Sequence, residues 1–282
     1  TYFRLSFSSE IRNPTLSDQY LHLNVGPATL AGHIDQVDSL ITIMSFTKWR
    51  NINDRDQLEY FNIDAIRPEK VTTLEVGVRS ELMKNKFYVD ANYYRNSYRD
   101  FLGYLVGISV MIIPGPYPDW KNLKVFRYSA NSSSHVTTHG ASVGINYYPN
   151  HNITLIGNYS FNQLNKTVED DPIIPAYNTP AHKVNLGFTI HELKISTSPF
   201  LRNTGFAIQY KWVNGFRFEG SPQFTGYIPS YATVDAQVNV RWEKINTSVK
   251  IGATNLLNYK HAEVYGGPNI GRLAYIQMGY RF

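Results

Sequence analysis

Thr233–Trp242 (TVDAQVNVRW) alternates without a fault: Val234, Ala236, Val238, Val240 and Trp242 fall on one face of an extended strand, and Asp235, Gln237, Asn239 and Arg241 on the other. A helix would scatter both sets around its axis, so a period of two over ten residues commits the segment to a β-sheet. The same grammar recurs in Phe87, Val89, Ala91 and Tyr93 against Asp90 and Asn92, in Val184, Leu186, Phe188 and Ile190 against Lys183, Asn185 and Thr189, and in Phe206, Ile208, Tyr210 and Trp212 against Gln209 and Lys211. Arg272–Phe282 (RLAYIQMGYRF) repeats it once more and stops on an aromatic residue. Ten segments read as strands of this kind. The second face varies in residue type but stays polar, which suits a wet interior better than a packed core.

The connections are of two kinds. Short turns are expected at Met83–Lys86, Pro149–Asn152 and Glu243–Asn246, with a somewhat longer one over residues 191–203. Long loops are expected at about residues 10–69, 105–123, 165–180, 219–229 and 257–271, so that short and long alternate along the chain. Antiparallel strands of a membrane barrel, joined by short turns at one rim and long loops at the other, produce this alternation. Strands of about ten to twelve residues, tilted near 45°, cross an apolar band of about 25 Å. Aromatic residues cluster near strand ends, at Tyr147, Tyr159, Phe161, Trp212, Trp242 and Tyr280, as interfacial girdles require. The expectation is an all-β, antiparallel transmembrane β-barrel over residues 1–282. Val234, Val238, Trp242, Ile276, Met278, Tyr280 and Phe282 should face lipid, and Gln277 and Arg281 the interior. A soluble, carbohydrate-binding β-sandwich, the alternative from another class, also alternates and would bury Trp242 and Tyr280 in a protein core instead.

Composition excludes several classes. The 282 residues include no cysteine, which removes disulfide scaffolds and thiolate metal sites. A mean hydropathy of −0.31 and the lack of any apolar run of about 18 residues argue against a helical membrane protein, though not against a barrel. A net charge of +5, scattered over strand-like stretches, gives nucleic-acid binding little support. No metal site or cofactor is expected: His135 and His139 share a strand face without a third ligand, and Asp54 and Asp56 lack the spacing of a Ca²⁺ loop. Neither a nucleophile motif nor a phosphate loop is present, so an enzyme is not expected.

Four stretches, in this order, carry a family resemblance: IRNPTLSDQYL (Ile11–Leu21); IRPEKVTTLEVGVRSELMKNKFYVDANYYRNSYRDFL (Ile66–Leu102); ATNLLNYKHAEVYG (Ala253–Gly266); and GRLAYIQMGYRF (Gly271–Phe282). With them the chain resembles the carboxy-terminal part of the TonB-dependent outer-membrane receptors of the Bacteroidetes type. The resemblance implies nutrient uptake across the outer membrane, through a 22-stranded barrel occluded by an amino-terminal plug. The ten strands counted back from Phe282 would be the last ten, with the plug domain not present in this chain. The implied partners are outer-membrane lipid, the TonB complex acting through the plug, a surface-exposed lipoprotein, and a small-molecule or oligomeric nutrient such as a glycan, peptide or siderophore. Phe282 would correspond to the family's terminal aromatic, an assembly signal. A complete ten-stranded passive pore is the alternative.

Ligand capture is expected in the long loops, where amphipathic aromatics and carboxylates gather: Trp49, Asp54, Asp56, Tyr60, Tyr117, Trp120, Tyr177, Tyr227 and Tyr265. Gly107–Trp120 is unusually apolar for an exposed loop, and suits closure over the barrel mouth or contact with a surface lipoprotein.

Overall fold

The computed structural model describes residues 1–33, 40–52, 54–62, 64–110, 122–166, 173–175, 177–193, 203–220 and 224–281. From the amino terminus come β1 (Tyr2–Arg12), helix α1 (Leu16–Tyr20), β2 (His22–Asn24), β3 (Thr29–Ala31), β4 (Ile41–Thr42) and helix α2 (Ile43–Ile52). The chain then enters a hairpin of β5 (Glu69–Leu82) and β6 (Phe87–Arg99), followed by β7 (Leu102–Ser109) and β8 (Lys124–Asn131). Next are β9 (Val136–Asn150), β10 (Ile153–Lys166), β11 (His182–Leu193) and β12 (Thr204–Val213). The short pair β13 (Phe216–Phe218) and β14 (Gly226–Ile228) precedes β15 (Tyr231–Trp242), β16 (Thr247–Thr254) and β17 (Leu273–Tyr280).

Ten of these strands make one sheet in the order β1-β5-β6-β9-β10-β11-β12-β15-β16-β17, each antiparallel to the next. Neighbours in the sheet follow one another in the chain once the short loop strands are set aside. That is the meander which alternating short and long connections dictate. The turn at 83–86 is tight because Met83, Lys84 and Asn85 all adopt positive φ (54°, 54° and 68°), and Asn246 (φ 48°) closes the one after β15.

Register carries the two faces across the whole sheet. Val238 stands opposite Phe206 and Ile251, and Ile251 opposite Ile276; Leu186 stands opposite Tyr210 and Gly157, and Gly157 opposite Ile145. Because side chains alternate strictly, a slip of one residue would exchange the faces, so the apolar pattern itself fixes the pairing. The apolar face is bare: Ile276 is 73% and Met278 74% exposed, and Leu186, Val238 and Ile251 are exposed with them. Trp242 is half-buried and Tyr280 exposed, the reverse of what a sandwich core would do. Phe282 lies outside the described residues.

The opposite face is polar and internally paired. The Arg4 guanidinium lies 3.3 Å from Glu75 and 3.5 Å from Asp90, Arg79 lies 2.6 Å from Asp90, and Asn92 donates to Glu75 at 3.3 Å. Arg4 crosses directly over Gly77, where a Cβ would come within 2.6 Å of its Nε. These strands do not close on themselves: β1 and β17 are the two edges of an open sheet. The ten described strands therefore form an open wall and not a closed ten-stranded barrel.

The long connections, expected as loops, contain structure of their own. Strands β2-β3-β8-β7-β4 form a second, five-stranded sheet, and β13 pairs with β14. Both buried apolar clusters belong to this loop region: Ala31, Leu40, Leu105, Phe126, Tyr128, Ala130 and Ile173 in one, and Ile41, Phe46, Trp49 and Ile108 in the other.

Candidate functional site

All five long connections leave from the same end of the ten-stranded sheet, and together they build a cap on that rim. Its foundation is laid by short-range motifs. Thr15 caps α1 with its hydroxyl on the Asp18 N–H (3.2 Å), while the Asp18 carboxylate accepts the Thr15 N–H (2.9 Å), a reciprocal capping box. The helix docks on Gly32, where a Cβ would lie 2.6 Å from the Gln19–Tyr20 backbone; only glycine permits that approach. Glu69, buried at the start of β5, accepts the Leu102 N–H at 2.8 Å and so ties the base of the β7–β8 hairpin to the wall. The Asn131 side chain clamps both sides of the hairpin entry, accepting from Arg67 N (2.6 Å) and donating to Arg67 O (2.8 Å) and Asp100 O (2.7 Å).

Three loops meet at Tyr104. Its backbone exchanges two hydrogen bonds with Ile174 (3.2 and 2.7 Å), its hydroxyl donates to Glu219 Oε2 at 3.1 Å, and the Arg127 guanidinium stacks 3.7 Å from its ring centroid. Glu219 is held in turn by Arg217 and by Asn178, which accepts the Glu219 N–H (2.7 Å) and donates to its carbonyl (3.1 Å). Burial, reinforced by the Glu219 carboxylate, pushes the Tyr104 hydroxyl up to about 12. Burial also pulls Arg127 below the usual guanidinium range, and its Nε finds no hydrogen-bond partner among the described residues.

A second junction fastens the last long loop to the polar face. Glu263 accepts from Lys211 Nζ (3.2 Å) and the Tyr231 hydroxyl (3.2 Å), with His261 Nε2 at 3.9 Å; the His261 ring stacks on Tyr231 with centroids 4.1 Å apart. Burial alone would raise the Glu263 carboxyl, but the bonds from Lys211 and Tyr231 outweigh it and hold the group below its ordinary value. The loop begins with two left-handed asparagines, Asn255 (φ 48°) and Asn258 (φ 56°). Asn255 donates its N–H to Asp235 (2.8 Å) and brackets Tyr259 by both amide atoms; Asn258 accepts the Arg272 N–H (3.0 Å). The Asn-Leu-Leu-Asn stretch is thus a turn device: asparagine tolerates positive φ and supplies its own backbone partners.

The residues expected to capture ligand are not one surface. Trp49 is fully buried against Phe46 (5.8 Å, edge to face) within the second apolar cluster, so it is scaffold of the cap and not a contact surface. An indole in a loop sequence reads as exposed only if the loop has no core of its own, and this one has. Asp54 caps a short turn, accepting from Asp56 N (3.1 Å) and Gln57 Nε2 (3.2 Å), while Asp56 is exposed. Tyr60 is half-exposed and bridges to Ile41 beside the same core. Tyr177 is half-buried and reaches Tyr94 on the polar face of β6; burial and that neighbour raise its hydroxyl well above the phenol range. The Tyr265 ring covers Gly226, next in sequence to Tyr227 (63% exposed), whose own ring reaches Gly215 instead, and exposed Phe224 lies against Gly266. Tyr117 and Trp120 lie outside the described residues. Patterning gave no site role to Tyr104, Arg127, Glu219, Lys211 or Glu263, since pairs as far apart as Lys211–Glu263 (52 residues) and Tyr104–Glu219 (115 residues) leave no local signal.

No group of three or more potential ligands among the described histidines and carboxylates is placed to hold a metal ion. His139 stands on the apolar-face parity near the loop rim, between Tyr93 and Phe161, and His135 meets the Ser97 hydroxyl at 2.8 Å.

The sequence model of the TonB-dependent receptor-like β-barrel matches residues 1–256, and the chain belongs to this family. Members are outer-membrane barrels that act as receptors and transporters; no described helix here is long and apolar enough to cross a membrane. Among solved structures, the siderophore receptor PirA from Acinetobacter baumannii superposes with a TM-score of 0.58 at 13% identity, over 100% of this chain and 39% of that one. The ferric-catecholate import receptor Fiu from K12 E. coli gives 0.55 at 12% identity, over 98% and 33%. The copper transporter OprC gives 0.55 at 15%, over 76% and 32%. The chain spans about a third of the length of these structures, and at such identities the likeness is one of fold. No curated protein matches in sequence.

Proposed function

We propose that this chain forms the carboxy-terminal ten strands and the extracellular cap of a 22-stranded, TonB-energised outer-membrane transporter of the Bacteroidetes type. The observation that carries the reading is the open sheet with a bare apolar face, a charged and paired opposite face, and every long loop interlocked at one rim. Unpaired strand edges are not tolerated in lipid, so β1 and β17 call for further strands beside them, as a larger barrel provides. The polar lattice of Arg4, Glu75, Arg79 and Asp90 suits contact with a plug that fills the lumen. The substrate is an organic nutrient or chelate met by aromatic loop surfaces such as Tyr227, Tyr265 and Phe224, with Asp56 and Tyr60 on the first long loop. A surface lipoprotein is a fitting partner for the apolar stretch that begins at Gly107, most of which lies outside the described residues.

The test is uptake in cells carrying or lacking the gene, in the presence and absence of a working TonB complex, over a panel of ferric siderophores, glycans and peptides. One class should enter only when both are present. Entry that persists without TonB, or a steady ion conductance of the purified protein in planar bilayers, would replace this reading with a passive pore.

A further inference from the structure

On the bare face of the sheet, the residues nearest the loop rim change from aromatic to cationic. Tyr93 of β6, Phe161 of β10 and His182 of β11 share one register row, with Tyr159 and Val184 below it; above it on the same parity are Arg95 and Arg99 of β6 and Lys70 of β5, with the imidazole of His139 on β9 beside Arg95. Arg95 stands opposite His139, which stands opposite Gln163, and Lys70 stands directly opposite Arg99. Two like charges opposed across a ladder repel, yet no Asp or Glu occupies this face of β5, β6, β9 or β10. Every carboxylate on the same strands, Glu69, Glu75, Glu81 and Asp90 among them, points the other way and is engaged there. Lys70, Arg95 and Arg99 are exposed and form no ion pair among the described residues.

We propose that this band binds the phosphate groups of an anionic glycolipid in the outer leaflet. The aromatic row beneath it sets the depth, since such side chains sit at the level of lipid headgroups. Cations one row (Arg95) to three rows (Arg99 and Lys70) beyond then reach the level of the phosphates, and the guanidinium fork of Arg95 or Arg99 matches a phosphate by two parallel hydrogen bonds. Gln163, Ser97 and His139 supply further donors beside it. The inference rests on the membrane-barrel fold and is independent of what the barrel transports.

The test titrates the detergent-solubilised protein with a bis-phosphorylated acylated disaccharide, with its dephosphorylated form, and with inorganic phosphate, and reads bound lipid by native mass spectrometry. The combined K70Q, R95Q and R99Q variant should bind the phosphorylated lipid roughly a hundredfold more weakly, about fivefold per cation removed. Single Arg95→Gln should show about a fivefold loss, and the charge-retaining Arg95→Lys with Arg99→Lys should recover most binding. A heat-modifiable gel shift identifies folded protein in each case. Equal binding by wild type and the triple variant overturns the proposal, as does equal binding of the dephosphorylated lipid or full displacement by equimolar inorganic phosphate.

Discussion

The wall and the cap solve the burial problem in opposite ways. In the wall, Ile276, Met278, Leu186 and Ile251 stand exposed on one face while charges pair on the other; in the cap, Leu40, Ile41, Trp49 and Tyr128 are almost wholly enclosed among other side chains. The wall follows the rule of a lipid solvent, where an apolar side chain needs no protein neighbour. The cap follows the rule of water, where apolar loops must make a core to remain ordered. One chain obeys both because its connections alternate in length, and only the long ones hold enough residues for a core.

The comparison breaks most sharply at Trp49. Replacing it with Ala should cost the cap about 3–5 kcal/mol, as loss of a large buried side chain does. Limited proteolysis should then cut residues 40–62 rapidly, while the folded band on an unheated gel persists. If the gel shift disappears as well, cap and wall are a single cooperative unit.

A charge placed on the bare face tests the wall. Leu186→Arg, near the middle of β11, should destabilise the protein in lipid vesicles by about 2–4 kcal/mol against denaturant, whereas Asn185→Arg on the polar face should have little effect. Equal losses from the two substitutions would mean that both faces are packed against protein.

The smallest expected effect is at the fastening of the last loop. The folded-state carboxyl of Glu263 lies below its ordinary value, so its contribution is present above the unfolded value and fades as pH falls through the folded one. Both partners are nearly half exposed, which limits the contribution to under about 1 kcal/mol. A probe attached near Tyr265 should therefore gain mobility only in acid, below the usual carboxylate range, and Glu263→Gln should abolish that transition.

The positions of the ten wall strands were legible because their determinant is local. In Thr233–Trp242 the face of each residue follows from its parity, and Lys84, Asn85 and Asn246 mark their turns by conformations that their neighbours do not decide. The cap was not legible in the same way. Its strands are often two or three residues long, too short to show a period, and β3 pairs in parallel with β8 from nearly a hundred residues away. Trp49 illustrates the consequence: its sequence neighbours are polar, and what encloses it is Ile108 and Leu123 brought from another loop.

The sequence by itself determined which side chains lie on each face of the wall, where the chain reverses and which connections are long, since these depend on neighbours within a few residues. Only the tertiary structure decided that the long connections share a core, that Tyr104, Arg127 and Glu219 meet, that Trp49 is enclosed, and that Lys70, Arg95 and Arg99 come together on a carboxylate-free face of β5 and β6. Each of those rests on contacts between distant parts of the chain, whose closeness is set by the register of the sheet and by which loops pack together.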